Sequence, residues 1–194
     1  MELLSPRVGV EKSPENVENN TALGRLVSAY PRARYLPLTR HPITTQRSIQ
    51  AHLNRTLPGH RQNGQPTSGI AAWFETHRRI LRCAATLPSD RYRRVRAEEV
   101  LNDPRPQLAA IATWLELPAD PPAIEAMMHP ETSPFASFGP AGSGIIGGND
   151  PDFLRDPKPR SVEVLETLDE PAGWSETPSV WQMVVDLASH LGYP

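Results

Sequence analysis

A single cysteine, Cys83, stands among the 194 residues. It excludes an intrachain disulfide framework, so the fold must rest on packing. A chain so poor in cysteine suits a reducing compartment. No run approaches the roughly 20 apolar residues that a membrane span needs. The first residues, Met1 to Arg7, lack the long apolar core of a signal peptide. These two absences lead us to expect a cytoplasmic protein without a membrane span. Net charge is also scarce: 20 Lys and Arg face 22 Asp and Glu, a formal charge of −2. Such a balance offers no general attraction to nucleic acid, so any anion site must be local. There is no Cys/His spacing of a metal centre, no nucleophile elbow and no Walker lysine, which disfavours a P-loop kinase.

Proline, by contrast, is plentiful, with 22 residues, many of them in the second half. That half should contain long irregular connections pinned by fixed φ angles. Residues 129–160 read as an irregular Gly/Pro-rich segment inside one domain spanning residues 1–194. Around it, periodicity defines the elements. A strand is expected over Arg7 to Lys12, where Val8 and Val10 alternate. A helix follows from Pro14 to Tyr30, with Ser13 as its N-cap and Leu23, Leu26 and Val27 as its apolar stripe. A second strand spans Arg34 to Thr39, with Pro37 marking an edge or a bulge. Pro42 opens a helix to Leu57, Pro58 to Ser68 is a polar loop, and Gly69 to Thr86 is an amphipathic helix. Tyr92 to Ala97 is a third strand. Helices over Pro104 to Leu117, Pro122 to Met128 and Val180 to Leu191 complete the pattern. Strands alternating with helices indicate an α/β domain with a mainly parallel sheet.

The chemistry concentrates where the second strand meets its helix, at Arg40-His41-Pro42, with Ser48 eight positions after Arg40. Ligands of open α/β sheets bind at the carboxyl ends of strands, and backbone N–H groups at a helix start favour an anion. Arg40 supplies a planar fork for phosphate oxygens, and Ser48 a hydroxyl two turns into the helix. An ion-paired surface arginine and an ordinary helix serine fit the same spacing. Lys12, at the end of the first expected strand, can neutralise charge on a transferring group or simply be solvated.

Other residues carry weaker signals. His41 faces the same edge and is a candidate general base, or a helix-start histidine without a catalytic task. Glu15 admits the same base role, or a helix-dipole role. His77, on an apolar helix face, reads as a buried, hydrogen-bonded histidine. Glu98 and Glu99, neighbours on a strand, should point to opposite faces and serve structure. Three of Arg91, Arg93, Arg94 and Arg96 can share a strand face and meet phosphate, or form a solvated strand end. Met127 and Met128 read as core or pocket lining.

In order along the chain, Lys12-Ser13-Pro14-Glu15-Asn16, Tyr30-Pro31-Arg32-Ala33-Arg34 and Arg40-His41-Pro42 with Ser48 resemble the sulfotransferases that use 3′-phosphoadenosine-5′-phosphosulfate (PAPS). The likeness is to bacterial members with a Lys-(Ser/Thr)-Pro element. It continues through Tyr92 to Leu101 with Asp103-Pro104, through Trp114-Leu115, Ser133-Pro134-Phe135, Gly139-Pro140 and Gly148 to Leu154, and ends at Leu191-Gly192-Tyr193. The resemblance implies a P-loop-like sulfotransferase fold, a mainly parallel sheet flanked by helices. It implies transfer of a sulfonate from PAPS to a hydroxyl or amine of a small-molecule acceptor, without a metal. Arg40 and Ser48 would bind the 3′-phosphate, and Lys12 would lie near the sulfonate.

Family members open with a strand, a Ser/Gly/Thr-rich loop and a helix, and that loop wraps the 5′-phosphosulfate. Nothing upstream of Lys12 resembles it, and Gly139 to Gly148 lacks the lysine of a phosphate loop. The N-terminal strand–loop–helix is therefore expected to be missing. The exposed sheet edges would then call for a second copy or a partner chain. The alternative to an enzyme is a catalytically inactive remnant that binds nucleotide or a partner.

Overall fold

A computed structural model describes residues 8–12, 14–17, 19–56, 68–132, 156, 158, 160–169 and 178–194. A 3-10 turn at Pro14–Val17 leads to α1 (Asn20–Ala29), then β1 (Leu38–Thr39), α2 (Pro42–Thr56) and α3 (Ser68–Ala84). After a 3-10 turn at Ser89–Arg91 come β2 (Val95–Arg96), α4 (Ala97–Asn102), α5 (Pro104–Trp114) and α6 (Pro121–Met127). A last 3-10 turn, Pro130–Thr132, and the C-terminal helix α7 (Pro178–His190) follow.

The described strands form one parallel pair, with Leu38 opposite Val95 and Thr39 opposite Arg96. A parallel bridge between Tyr35 and Tyr92 precedes them. Both strands are shorter than their sequence patterns suggested. Between bridge and ladder lies Pro37, which has no N–H to give and enters only as an acceptor, taking the Val95 N–H at 3.1 Å. At the other end, Ala97 turns into α4 instead of prolonging β2.

Helices account for most of the packing. The core joins Ile70 and Trp73 of α3 to Trp181, Val184 and Ala188 of α7, and to Leu191 and Tyr193 beyond it. Each large apolar side chain fully buried in this way contributes about 1.5–3 kcal/mol. The amphipathic helix expected over Gly69 to Thr86 is α3: Ile70, Trp73 and His77 are buried on one face, with Phe74 and Leu81 packed at the margin.

Several expectations are corrected. Residues 8–12 form no strand, and Val8 and Val10 are exposed; alternation makes a strand only where a neighbouring strand supplies the ladder. The first helix divides into a 3-10 turn and α1, because Asn19 caps α1 by accepting the Ala22 N–H at 2.7 Å. Met127 is exposed, since the short α6 buries Ile124 instead. Ser13, most of the loop 58–68 and residues 133–155 lie outside the described residues.

Candidate functional site

At the carboxyl end of β1 the chain passes through Arg40 and His41 into α2. His41 is the N-cap of that helix. Its carbonyl accepts the first helical N–H, from Thr45, at 2.9 Å, and its Nδ1 accepts the N–H of Ile43 at 3.2 Å. Pro42 occupies the first helical position, where a missing N–H does no harm. The hydroxyls of Thr44 and Thr45 both donate to the His41 carbonyl at 3.0 Å. From α3, Trp73 donates its indole N–H to the Arg40 carbonyl at 2.7 Å. The turn is thus fixed from both sides, which holds the Arg40 backbone in place.

Beneath the turn lies a buried polar cluster. Glu98, in the first turn of α4, is only 6% exposed. One of its oxygens accepts the His41 backbone N–H at 2.7 Å. The other lies 3.2 Å from the Tyr193 hydroxyl, which is also 3.1 Å from Thr39 Oγ1. Thr39 in turn donates to the Val95 carbonyl at 3.3 Å. The His41 ring meets Tyr193 edge-on, with ring centres 5.5 Å apart. Burial pushes the Tyr193 phenol well above its ordinary pKa, and the neighbouring Glu98 charge adds to the rise.

Three arginines in and before β2, Arg91, Arg94 and Arg96, are bonded within the chain. Arg94 donates to the Leu191 carbonyl at 2.7 Å, while Arg96 bonds the Gly192 carbonyl and pairs with Glu99. Arg96 also lies against the Tyr193 ring, 5.7 Å from its centre. Arg91 donates to the Ala33 carbonyl at 3.0 Å. The C-terminal Leu191-Gly192-Tyr193 segment is therefore clamped onto the strand ends.

Burial pushes the His41 pKa down, opposed by Glu98 and assisted by Arg47. With Nδ1 accepting from Ile43, the neutral ring carries its proton on Nε2. That Nε2 is buried and makes no hydrogen bond. The Thr167 backbone, close to the ring, pulls the pKa back up. As placed, His41 is a hydrogen-bond donor; to take a proton on Nε2 it would have to surrender its cap.

Of the four residues singled out by sequence, the structure gathers three on one strand–helix unit. Arg40 is half-buried at the strand end, His41 is 2% exposed, and Ser48 is exposed on α2. Ser48 stands seven positions after His41, which puts it on the same helix face. Lys12 is exposed in the irregular segment 8–12, not at a strand end. His77 is the buried, bonded histidine expected, with Nδ1 2.7 Å from the Trp73 carbonyl. Among the described residues, no group of three or more His, Cys, Asp and Glu side chains could hold a metal ion. No described helix is long and apolar enough to cross a membrane.

Glu98, Tyr193 and Thr39 were not singled out as site residues by sequence. The signal for Glu98 was available: Ala97 to Leu101, just before Asp103-Pro104, has the length and composition of one helical turn, which would put Glu98 at a helix start. Tyr193 sits in the Leu-Gly-Tyr ending, where Gly192 takes φ +81° and sends the tyrosine back under the strands.

The sulfotransferase family profile matches residues 5–121. No curated protein matches the chain. Among solved structures, it is similar to the sulfotransferase domain from the curacin biosynthetic pathway, at 21% identity and a TM-score of 0.73. It is also similar to the sulfotransferase domain from the Synechococcus PCC 7002 olefin synthase, at 23% identity and a TM-score of 0.67. The two alignments cover 100% and 97% of this chain but 65% and 59% of those domains. The chain therefore spans less than two thirds of the length of each, with the sulfotransferase fold common to all three.

Proposed function

The chain belongs to the sulfotransferase family, and from that premise we propose that it transfers a sulfonate group from PAPS to a hydroxyl or amine of a small-molecule acceptor. The observation that carries this reading is the Arg40–His41–Pro42 turn. In it the half-buried residue Arg40 follows the carboxyl end of a parallel strand and stands two positions before a 15-residue helix. A helix start and an arginine fork together suit a phosphate dianion.

In this reading Arg40 and Ser48 hold the 3′-phosphate, and Lys12 neutralises charge near the sulfonate. PAPS supplies the sulfonate itself. Glu98 and the Trp73 indole keep the Arg40 turn in place before nucleotide arrives, so binding need not order it. His41 acts as cap and hydrogen-bond donor; the base that takes the acceptor's proton is another group.

Calorimetric titration with 3′-phosphoadenosine-5′-phosphate, beside an Arg40→Ala variant, tests the reading. Loss of a charge-assisted phosphate contact costs about 1.5–3 kcal/mol, more than tenfold in affinity. Saturable binding that weakens by that factor supports the nucleotide assignment, and sulfonate transfer from PAPS would then establish the enzyme. Binding without transfer to any acceptor favours the inactive, nucleotide-holding reading. A folded chain that binds no nucleotide removes both.

A further inference from the structure

The described strands form a single pair, so β1 has a second edge that faces away from β2. Tyr35 gives its N–H to the Arg91 carbonyl and takes the Arg93 N–H, and the Pro37 carbonyl takes the Val95 N–H. The odd-numbered residues therefore turn their backbone groups towards β2. Backbone groups alternate from side to side along a strand, so Leu36 and Leu38 turn theirs to the outer edge. Among the described residues, no backbone group pairs with them there. Pro37 leaves this edge intact, since its missing N–H belongs to the β2 side. Further along, the Arg40 carbonyl takes the Trp73 indole N–H at 2.7 Å, which closes the edge at that end.

Side chains alternate as well. Thr39 is buried on one face, whereas Leu38 is 63% exposed on the other. Leu36 shares the face of Leu38, and Arg34 and Arg40 flank the two leucines. Arg34 pairs with the exposed Glu116, a surface contact that another carboxylate can replace. Arg40 forms no ion pair among the described residues. The edge thus reads basic, apolar, apolar, basic. Its amides and carbonyls call for another extended backbone, and its ends for acidic residues. A second copy of the chain is a poor match. The two-fold axis that pairs all four backbone groups passes at Pro37 and sets Arg34 opposite Arg40 of the copy, and like charges directly opposite are destabilising.

We propose that the outer edge of β1 is a docking site for an extended segment of a partner protein. The segment carries two apolar residues at alternate positions and an acidic residue two positions beyond each. Its backbone pairs with Leu36 and Leu38, its apolar side chains cover the two leucines, and its carboxylates meet Arg34 and Arg40. Because Arg40 also serves the proposed phosphate contact, the test is made without nucleotide.

The test uses the full chain and two matched peptides: acetyl-Glu-Thr-Val-Thr-Val-Thr-Glu-amide, and the same peptide with lysine at both ends. Titration followed by amide resonances should show saturable binding about tenfold or more tighter for the acidic peptide. Hydrogen exchange at the Leu36 and Leu38 amides should slow, while that at Tyr35, already bonded to β2, should not. Leu38→Pro removes an N–H that faces away from β2, so the ladder stays and binding should weaken about tenfold. Leu38→Asp keeps the N–H but sets a charge against the peptide's apolar residues. It should abolish binding even if the proline variant folds poorly. Equal affinity for the two peptides overturns the proposal. So does binding that leaves the Leu38 amide exchanging as before, or that is unchanged in both folded variants. Absence of saturable binding overturns it as well. A dimer of the free chain with both leucine amides protected gives the edge to a second copy and overturns it too.

Discussion

Glu98 accepts the backbone N–H of His41 at 2.7 Å, across 57 positions of the chain. The bond ties the first turn of α4 to the turn that carries Arg40. Since the same carboxylate also meets Tyr193, one buried side chain joins a strand end, a short helix and the C-terminal segment. Removing its charge tests how much the arrangement depends on it.

Glu98→Gln keeps the volume but replaces one acceptor oxygen by an NH₂ group, which must face either the His41 N–H or the Tyr193 hydroxyl. We expect a loss of about 1.5–3 kcal/mol, the range of hydrogen bonds to charged groups. Urea unfolding should show a lower midpoint with an unchanged slope. A midpoint equal to that of the parent would mean that the carboxylate is not a structural tie.

The Tyr193 phenol should make stability fall at high pH. Burial raises its pKa in the folded chain, whereas the unfolded tyrosine titrates near 10. The folded state thus keeps a proton that the unfolded state releases, and stability present below about pH 10 declines as pH rises above it. The decline from one such group is at most about 1.4 kcal/mol per pH unit. Tyr35 and Tyr92 are raised by burial too and contribute in the same direction. Tyr193→Phe should therefore flatten the curve of unfolding free energy between about pH 9 and 11, without abolishing the slope. An unchanged slope would place the phenol in contact with water.

Only the local parts of this arrangement are legible in the sequence, and the reason is physical. The Arg40-His41-Pro42 turn is local: a strand, a cap and a proline at the first helical position leave their mark within a few residues. The α3 stripe is equally local. What joins the turn to Glu98 and Tyr193 is tertiary, and nothing in the spacing of residues 41, 98 and 193 announces it. The β-favouring Tyr92 and Val95 before Glu98 predict a strand there, whereas the chain turns helical at Ala97. The strand expected at Val8 and Val10 fails for a related reason. Alternation specifies a face, but a ladder needs a neighbour that sequence spacing alone does not provide.

Acid should weaken the fold through the buried histidines. Burial lowers the pKa of both His41 and His77 in the folded chain. Below the unfolded value of about 6.5, the unfolded state therefore binds protons that the folded state refuses. Their contribution is present above about pH 6.5 and is lost as pH falls through the folded pKa values. The surface His129 is raised by Glu131 and Glu125 and acts oppositely. His41→Asn retains a capping acceptor for the Ile43 N–H but removes one titrating group. Its unfolding free energy should change less between about pH 7.5 and 5.5 than that of the parent. Equal pH dependence in the two proteins would assign the acid sensitivity to His77.

The C-terminal segment offers a test of backbone conformation without steric interference. α7 ends with the Gly192 N–H on the Ser189 carbonyl at 2.9 Å and the Tyr193 N–H on the Ala188 carbonyl at 3.0 Å. This cap requires a left-handed residue, and Gly192 supplies it. α5 ends the same way, with the Glu116 N–H on Thr113 and the Leu117 N–H on Ala112, but there the left-handed position is held by Glu116 at φ +60°. A methyl group at Gly192 would meet nothing closer than Arg96 Nη1 at 3.7 Å, an ordinary contact. Gly192→Ala should therefore cost about 1–2 kcal/mol from backbone conformation alone. Glu116→Gly removes that strain at α5 and gives up only the surface pair with Arg34, in which the Glu116 side chain is 78% exposed. Such pairs contribute about 0–1 kcal/mol, so the variant should equal or exceed the parent in thermal midpoint. Opposite shifts for the two substitutions would establish that both caps depend on left-handed geometry. A destabilised Glu116→Gly would mean that the Arg34 contact outweighs the strain.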